Sequence, residues 1–261
     1  MNYYLNTISV FIVNLEKEAE KRKRSLTYCK EVGISAEVYS AIDGASFSKK
    51  EGAELLTYPN SFLTNGEIGC ALSHLSIYRR MILDNIDIAL ILEDDFKFNV
   101  GREELYHSLN DIKAFLNKDN VPKVVLLNEG LCRFTFGRNI FKNKLCYYIK
   151  GNGTYAYMLN KSAAHELLVN AIPIRYEADF WNSFFYRTKL RIYCLENALV
   201  VNADINQQNS SLEKERAQLK VYRQSTQANF FKIECKTVKY KIWHNIFIKI
   251  IMATGLFSNN K

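Results

Sequence analysis

Short apolar runs alternate with longer segments of helical periodicity along most of the chain. The clearest run is 88–92, five apolar residues in succession that lead directly into Glu93, Asp94 and Asp95. A continuous apolar run bounded by charge is typical of a strand that is buried on both faces of a helix-covered parallel sheet. Comparable or alternating patterns predict further strands at 8–15, 36–42, 124–127 and 190–195.

Helical segments lie between these predicted strands. Apolar spacing and cap signals predict helices at 16–32, 64–82, 105–116 and 162–169. Gly33 is a common helix stop, and Thr64 followed three residues later by Glu67 fits a capping box. Alternating strands and helices predict an α/β fold, with a mostly parallel central sheet flanked by helices. The region 131–158, rich in aromatic and β-branched residues, predicts hairpin-like strands beside that sheet.

The carboxylates after the 88–92 run form the first candidate site. Ligands of open α/β sheets collect at the carboxyl ends of the strands, where Glu93, Asp94 and Asp95 lie. Alternation along a strand predicts that Glu93 and Asp95 share one side and that Asp94 takes the other. Two carboxylates on one side suit Mg²⁺ or Mn²⁺. The alternative is that the three acids are only a solvated turn after a strand.

Other polar groups are also candidates. Five basic residues on the first helix could face a diphosphate, or could simply be solvated; they are Lys17, Lys21, Arg22, Lys23 and Arg24. Glu177 and Asp179 stand close to Trp181 and Phe184, and carboxylates beside aromatic rings are typical of carbohydrate sites. Packing of those rings in the core is the alternative. His74, on the helix before the 88–92 strand, is either a site residue or a structural histidine.

Composition places the chain among ordinary globular proteins. Of 261 residues, 48% are hydrophobic and 24% are charged, which excludes wholesale disorder. The six cysteines form no C-x-x-C pair, so we expect free thiols in a reducing compartment. The N-terminus does not read as a signal peptide, and no apolar run reaches the roughly 18 residues of a membrane span. These features predict a cytoplasmic protein.

Charge and periodicity divide the chain into two parts, a catalytic domain at 1–234 and a tail at 235–261. The formal net charge is +8, and the tail contributes five lysines and no acid. The apolar residues of the tail recur at helical spacing and include Trp243. A basic amphipathic helix with a tryptophan is typical of a segment that lies in a membrane interface. Docking onto the catalytic domain or a second subunit is the alternative.

Four blocks of sequence carry a resemblance to a known family. They are FIVNL at 11–15, AIDG at 41–44, LTNGEIGCALSH at 63–74 and ALILEDD at 89–95. The chain resembles the bacterial lipopolysaccharide and lipooligosaccharide enzymes of glycosyltransferase family 25, over roughly residues 8–211. The resemblance implies a nucleotide-sugar-binding fold of the GT-A type and a Mn²⁺ or Mg²⁺ ion held by the acidic motif. It also implies inverting transfer of a hexose, often galactose from UDP-galactose.

For such a transfer we expect individual residues to have separate roles. Asp95, with Glu93, would hold the metal, Glu93 or Asp94 would assist through ribose, sugar or ion, and Asp179 would be the general base. Where the family usually has a proline, a small apolar residue and an aspartate, this chain has Tyr176-Glu177-Ala178-Asp179. That difference leaves Glu177 as the alternative base. Donor-binding roles are predicted for six residues: Asn14, Arg22, Asp43, Gly44, Glu67 and His74.

The predicted partners are a nucleotide-sugar donor, an oligosaccharide or lipid-linked acceptor, and the inner face of a bacterial inner membrane reached through the tail. UDP-glucose or a UDP-N-acetylhexosamine are alternative donors. A metal-dependent phosphohydrolase is less well supported, because its usual Asp-x-Asp-x-Thr pattern is replaced here by EDDFKF at 93–98. No nucleic-acid partner is expected, since the basic residues concentrate in the tail instead of forming a stripe with interleaved aromatics.

Overall fold

The computed structural model describes residues 8–55, 63–130, 132–150, 153–181, 183–184, 188–203 and 216–217. The strands are β1 (Ser9–Asn14), β2 (Glu37–Ser40), β3 (Ile88–Glu93), β4 (Phe96–Phe98), β5 (Lys123–Glu129), β6 (Cys132–Ile140), β7 (Asn143–Lys150), β8 (Ala156–Asn160), β9 (Arg191–Leu195) and β10 (Val200–Asn202). The α-helices are α1 (Ala19–Val32), α2 (Lys49–Glu54), α3 (Asn65–Leu83), α4 (Arg102–Leu116) and α5 (Lys161–Ala171).

Among the described residues, eight strands form one sheet in the order β2-β1-β3-β8-β5-β9-β7-β6. Six of them point the same way, and β7 and β8 run in the opposite direction. The predicted α/β fold with a central sheet is therefore confirmed. The expected place of β8 was wrong, because this strand lies in the centre of the sheet between β3 and β5 and not in a hairpin beside it. All five of its residues are buried, as expected for a strand with neighbours on both sides.

Helices cover both faces of the sheet, as predicted. One core cluster packs α3 and α5 against one face, through residues such as Ile77, Ile91 and Leu167. The other packs α1 and α4 against the opposite face, through residues such as Cys29 and Leu109. Alternate residues of β3 enter the two clusters, so this strand is buried on both faces. The continuous apolar run at 88–92 reflects that double burial.

The predicted helix ends are confirmed where a cap defines them. Gly33 follows α1 with φ of 74°, and its N–H bonds to carbonyls of the last turn. Glycine adopts this left-handed conformation without a steric penalty. Thr64 and Glu67 form both halves of the predicted capping box at the start of α3. The start of α3 is thus specified by its own first turn.

A second, small sheet pairs β4 with β10 in antiparallel fashion. The pattern of the sequence did not predict it, since 197–211 reads as a polar loop. The pairing brings Asn202 beside the acidic motif. Most of that loop, the domain boundary near residue 234 and the tail at 235–261 lie outside the described residues. Among the residues described, none of the helices combines the length and apolar character needed to cross a bilayer.

Candidate active site

The acidic motif lies where β1, β3 and β8 meet at one edge of the sheet. β1 and β3 are parallel, and Val13 pairs with Glu93 at their carboxyl ends. β8 is antiparallel to β3, so its first residues reach the same edge. The N–H of Glu93 bonds to the carbonyl of Tyr155 at 3.0 Å, which aligns the two ends. This edge is where ligands of α/β sheets were expected to bind.

Glu93 is the last residue of β3, and its side chain is 26% exposed. Its Oε1 accepts a hydrogen bond from the hydroxyl of Thr154 and lies 3.3 Å from Nε2 of His74. Burial opposes the charge of Glu93, but His74 and Thr154 more than offset that effect, so the pKa of Glu93 lies below its ordinary value. Glu93 is therefore a carboxylate at neutral pH.

His74 connects Glu93 to two buried tyrosines. The imidazole is 1% exposed, and Nδ1 lies 2.7 Å from the hydroxyl of Tyr157. That hydroxyl lies 2.6 Å from the hydroxyl of Tyr78. The sequence allowed two interpretations of His74, a site residue or a structural histidine, and its position has features of both. It is held by core tyrosines and it faces the acidic edge.

Asp94 is held by residues of β1 and α1. Its Oδ2 accepts a hydrogen bond from Nδ2 of Asn14 at 2.7 Å. Its carbonyl accepts from Arg24 at 3.2 Å and from the hydroxyl of Ser25 at 3.1 Å. Burial raises the pKa of Asp94, although the positive charge of Lys21 and the Asn14 hydrogen bond act in the opposite direction. Two of the five basic residues, Lys21 and Arg24, thus lie near the motif, and their role toward a diphosphate stays a prediction.

Asp95 is held by the small second sheet. Its Oδ2 accepts a hydrogen bond from Asn202 at 2.8 Å, and its carbonyl accepts from the N–H of Ala203 at 2.6 Å. Its Oδ1 is buried and makes no hydrogen bond within the described part of the chain. Burial, followed by repulsion from Glu93 and Asp94, raises the pKa of Asp95 to about 7. An orphaned, buried carboxylate oxygen is suited to a hard cation such as Mn²⁺ or Mg²⁺.

The alternation predicted for the three acids assumed a strand that continues to Asp95, and that assumption was wrong. β3 ends at Glu93, and Asp94 and Asp95 form the turn before β4. Strand geometry therefore does not determine which side these two residues take. Their side chains diverge, with Asp94 bonded to Asn14 and Asp95 bonded to Asn202.

Asp179 approaches the same edge from the loop after α5. Its Oδ2 accepts a hydrogen bond from the N–H of Gly153 at 3.2 Å, and Nε1 of Trp181 donates to the carbonyl of Gly153 at 3.2 Å. Burial and then the charge of Glu93 raise the pKa of Asp179, while the charge of Arg216 lowers it. The charge of Glu93 in the acidic motif therefore acts on the carboxyl of Asp179. Glu177, the alternative base, is 7% exposed.

Trp181 belongs to the core. It is fully buried, and its ring lies 5.3 Å from that of Tyr157 in an edge-to-face arrangement. Of the two alternatives for the aromatic cluster, core packing holds for this tryptophan. Its indole N–H donates to the carbonyl of Gly153, the residue whose N–H bonds to Asp179, so Trp181 helps to hold that loop.

Three of the predicted donor-binding residues lie in the loop after β2 or at the start of α3. Asp43 caps the 3₁₀ turn at Gly44–Ser46 and pairs with Lys17 at 2.5 Å, an interaction that lowers the pKa of Asp43. A Cβ at Gly44 would lie 1.7 Å from the carbonyl oxygen of Asn65, so only glycine fits there. Glu67 is 1% exposed and accepts a hydrogen bond from Arg216 at 2.8 Å. Direct donor binding by these residues stays a prediction, as it does for Arg22.

Sequence reasoning did not single out several residues of this edge. Cys70 lies on α3 one turn before His74, and its Sγ, a His74 ring nitrogen and a Glu93 oxygen all lie within 4.8 Å of one another. Asn202 and Arg216 reach the acids from 107 and 149 residues away along the chain. A local pattern carries no signal for such contacts.

The chain is similar to curated proteins of one family. It is 36% identical to the "Glycosyltransferase 25 family member" of Anopheles gambiae over 119 residues, which are 42% of this chain and 20% of that protein. It is 35% identical to the "Probable inactive glycosyltransferase 25 family member 3" of Bos taurus over 185 residues, which are 64% of this chain and 29% of that protein. The matched segment thus spans only about a fifth to under a third of these relatives.

Among solved structures, one similar chain is a glycosyltransferase involved in the glycosylation of the major capsid of PBCV-1. It is 13% identical, with a TM-score of 0.29, and the match covers 60% of this chain and 62% of the other. The family described as "Glycosyltransferase family 25 (LPS biosynthesis protein)" matches residues 7–182, a span that includes β1 to β8 and every acid of the edge described above. The chain belongs to glycosyltransferase family 25.

Proposed function

We propose that this chain is an inverting glycosyltransferase of the GT-A type that transfers a hexose from a nucleotide sugar to an acceptor sugar. UDP-galactose is the first candidate donor, and UDP-glucose or a UDP-N-acetylhexosamine are the alternatives. The acceptor would be a lipooligosaccharide or lipopolysaccharide. The observation that carries the proposal is the acidic edge, at which Glu93, Asp94 and Asp95 lie within electrostatic reach of one another and Asp179 lies within reach of Glu93.

Asp95 and Glu93 would hold Mn²⁺ or Mg²⁺. The buried Oδ1 of Asp95 lacks a hydrogen bond among the described residues, and the pKa of this carboxyl is raised by burial and by its acidic neighbours. A divalent cation would take the buried Oδ1 as a ligand and would stabilise the charged form of the carboxyl. When bound, it would supply Lewis-acid stabilisation to the negative charge that develops on a departing diphosphate.

Asn14 and His74 would act as positioning residues for the acids. Asn14 orients Asp94 through a 2.7 Å hydrogen bond, and His74 lies 3.3 Å from Glu93. Lys21 and Arg24 add positive charge on the α1 side of the motif, where a diphosphate would be attracted. Arg22, Asp43, Gly44 and Glu67 complete the predicted donor-binding set. Gly44 and Glu67 also pack at the start of α3, and that packing alone can account for a glycine and a glutamate at these two positions.

Asp179 would be the general base. Inversion in a single displacement requires a group that takes the proton of the acceptor hydroxyl, a role typically worth about 10²–10⁴ in rate. The raised pKa of Asp179 strengthens it as a base, and its hydrogen bond to Gly153 fixes its orientation. Asp179 also lies within electrostatic reach of Glu93, one of the two proposed metal ligands.

The tail at 235–261 would hold the enzyme at the cytoplasmic face of an anionic membrane, where lipid-linked acceptors are found. The support is its sequence, in which five lysines flank an apolar helical stripe. Each lysine near an anionic surface contributes about 1 kcal/mol, and salt weakens that attraction.

Donor and base are tested separately. A thermal-shift screen of UDP-galactose, UDP-glucose and UDP-N-acetylglucosamine, each with and without Mn²⁺, should identify one donor whose effect needs the metal. Asp179→Asn should keep the affinity for that donor and reduce transfer by about 10²–10⁴. Glu177→Gln is the matched control and should keep most of the activity. A comparable loss of donor binding in Asp179→Asn would remove the base assignment. If none of the donors shows binding that depends on Mn²⁺, the proposed function itself is contradicted.

A further inference from the structure

Cys70, His74 and Glu93 gather three kinds of metal-ligand atom at one point. Cys70 and His74 are four residues apart on α3, so they lie on the same face of the helix. Glu93 ends β3 directly opposite that face. The Sγ, imidazole nitrogen and carboxylate oxygen are all within 4.8 Å of one another. Within the described part of the chain, this is the one cluster of three or more such ligands.

The geometry of His74 and Glu93 already matches that of two ligands on one ion. Nε2 of His74 and Oε1 of Glu93 are 3.3 Å apart. Ligand atoms about 2.0–2.1 Å from a tetrahedral ion would be separated by about 3.3–3.4 Å. Nε2 is buried and faces Glu93, and it makes no hydrogen bond of good geometry within the described part of the chain. A proton on Nε2, which the contact with Glu93 favours, would be displaced by a metal bound between the two residues.

The other nitrogen of His74 is arranged as in a metal-binding histidine. Nδ1 lies 2.7 Å from the hydroxyl of Tyr157, which in turn lies 2.6 Å from the hydroxyl of Tyr78. If Nδ1 carries the proton and donates it along this chain, Nε2 presents its lone pair toward Cys70 and Glu93. Metal-ligating histidines usually have such an outer partner, which fixes the tautomer and the ring orientation.

The donor set indicates which ions would fit. Sulfur and imidazole ligands select borderline and soft transition metals, whereas Mg²⁺ and Mn²⁺ prefer oxygen ligands alone. We propose that Cys70, His74 and Glu93 form a binding site for a transition metal ion of the zinc type, separate from the hard-cation role of Asp95. Three protein ligands leave a fourth position for water. Binding would release the thiol proton to solvent, because the metal takes the thiolate.

The proposed site shares Glu93 with the proposed Mn²⁺ or Mg²⁺ site. An ion held by Cys70 and His74 would therefore engage a carboxylate of the acidic edge. This inference does not rest on the proposed function, because it concerns metal binding alone. The test accordingly measures binding and not transfer.

Cobalt(II) is a suitable probe, since a cobalt–thiolate bond gives an intense near-ultraviolet charge-transfer band that nitrogen and oxygen ligands do not give. We expect the reduced full-length protein to take up one Co²⁺ with this band, and one Zn²⁺ to abolish it. Mn²⁺ and Mg²⁺ in excess should leave it in place. Cys70→Ser should lose the band, and the control Cys29→Ser, which alters a buried thiol on the other face of the sheet, should keep it.

Tyr157→Phe provides a second test that leaves all three ligands in place. Loss of the hydroxyl that orients His74 should weaken Co²⁺ binding by roughly 10- to 100-fold. Absence of the band in the wild-type protein would overturn the proposal. So would a band that survives in folded Cys70→Ser, because the thiolate would then come from another cysteine. If Cys70→Ser does not fold, unchanged Co²⁺ affinity in folded Tyr157→Phe would also contradict it.

Discussion

Replacement of Asp95 by asparagine should change the free energy of unfolding. The sign of that change and the pH range in which it occurs follow from the pKa of Asp95 in the folded chain. Burial, with repulsion from Glu93 and Asp94, raises the pKa of Asp95 to about 7 in the folded chain. The same carboxyl in an unfolded chain has a pKa of about 3.9. The folded state therefore binds the proton more tightly than the unfolded state does.

The magnitude comes from the distance between the two pKa values. Below about pH 4 both states hold the proton, so Asp95 carries no titration penalty. Between about pH 4 and pH 7 the unfolded state has lost the proton and the folded state retains it, so this group lowers the stability by about 1.4 kcal/mol per pH unit. Above about pH 7 the penalty is complete, with an upper bound near 4 kcal/mol.

Asp95→Asn removes the penalty, because an amide does not ionise and its oxygen can still accept the hydrogen bond from Asn202. With a chelator present, we expect the variant to match the wild-type protein near pH 4. At pH 8 it should exceed the wild-type free energy of unfolding by about 2–4 kcal/mol. Urea unfolding at one-unit steps from pH 4 to pH 8 measures this difference.

Asp43→Asn is the matched control of opposite sign. The hydrogen bond from Lys17 lowers the pKa of Asp43, so its charged form stabilises the folded state above the unfolded pKa. Asp43→Asn should therefore be slightly less stable than wild type at pH 8 and equal to it in acid. A difference between Asp95→Asn and wild type that does not vary with pH, or a variant that is less stable at pH 8, would refute the reasoning. Added Mn²⁺ should stabilise only the wild-type protein and narrow the gap.

Three further perturbations test the packing and the tail. Gly44→Ala places a Cβ 1.7 Å from a backbone oxygen of α3, so we expect a loss of about 1–3 kcal/mol or more in the free energy of unfolding. Gly101→Ala, where a Cβ meets no atom within 4 Å, should lose less, because its only expected cost is that alanine is a poorer N-cap of α4 than glycine. Arg216→Ala removes the charged hydrogen bond to the buried carboxylate of Glu67 and should lower the free energy of unfolding by about 1.5–3 kcal/mol. The double variant with Glu67→Gln should recover part of that loss. A chain that ends after residue 234 should stay active on a soluble acceptor but no longer sediment with anionic vesicles at low salt; vesicle binding that survives the truncation would show that the tail is not the anchor.

Local signals allowed much of the frame to be predicted. Gly33 ends α1, and the capping box of Thr64 and Glu67 starts α3, because each motif satisfies backbone groups within one turn. The apolar run before Glu93 identified the central strand through its burial on both faces. The place of the acids at the sheet edge followed from the direction of that strand.

The rest depends on contacts between distant segments. β8 reads as a hairpin strand in the sequence, and only its pairing with β3 and β5 places it at the centre of the sheet. Asn202 reaches Asp95 because β10 pairs with β4, a contact with no local pattern. The turn at Asp94 and Asp95 likewise removed the alternation on which the first metal assignment relied. The candidate site residues could be predicted from the sequence, but their hydrogen-bond partners from distant segments could not.

The acidic edge opposes folding in the absence of a cation, and that cost is informative. Burial and mutual repulsion raise the pKa of both Asp95 and Asp179, so these carboxylates lower the stability of the chain at neutral pH. A cation that binds only the folded state would offset this cost in proportion to RT ln(1 + [L]/Kd). A chain without Asp95 would therefore gain stability while losing a proposed metal ligand. Family membership alone therefore does not establish catalysis, and the physical reason to expect it here is that the chain holds Asp94 and Asp95 beside Glu93 although burial raises the pKa of both aspartates.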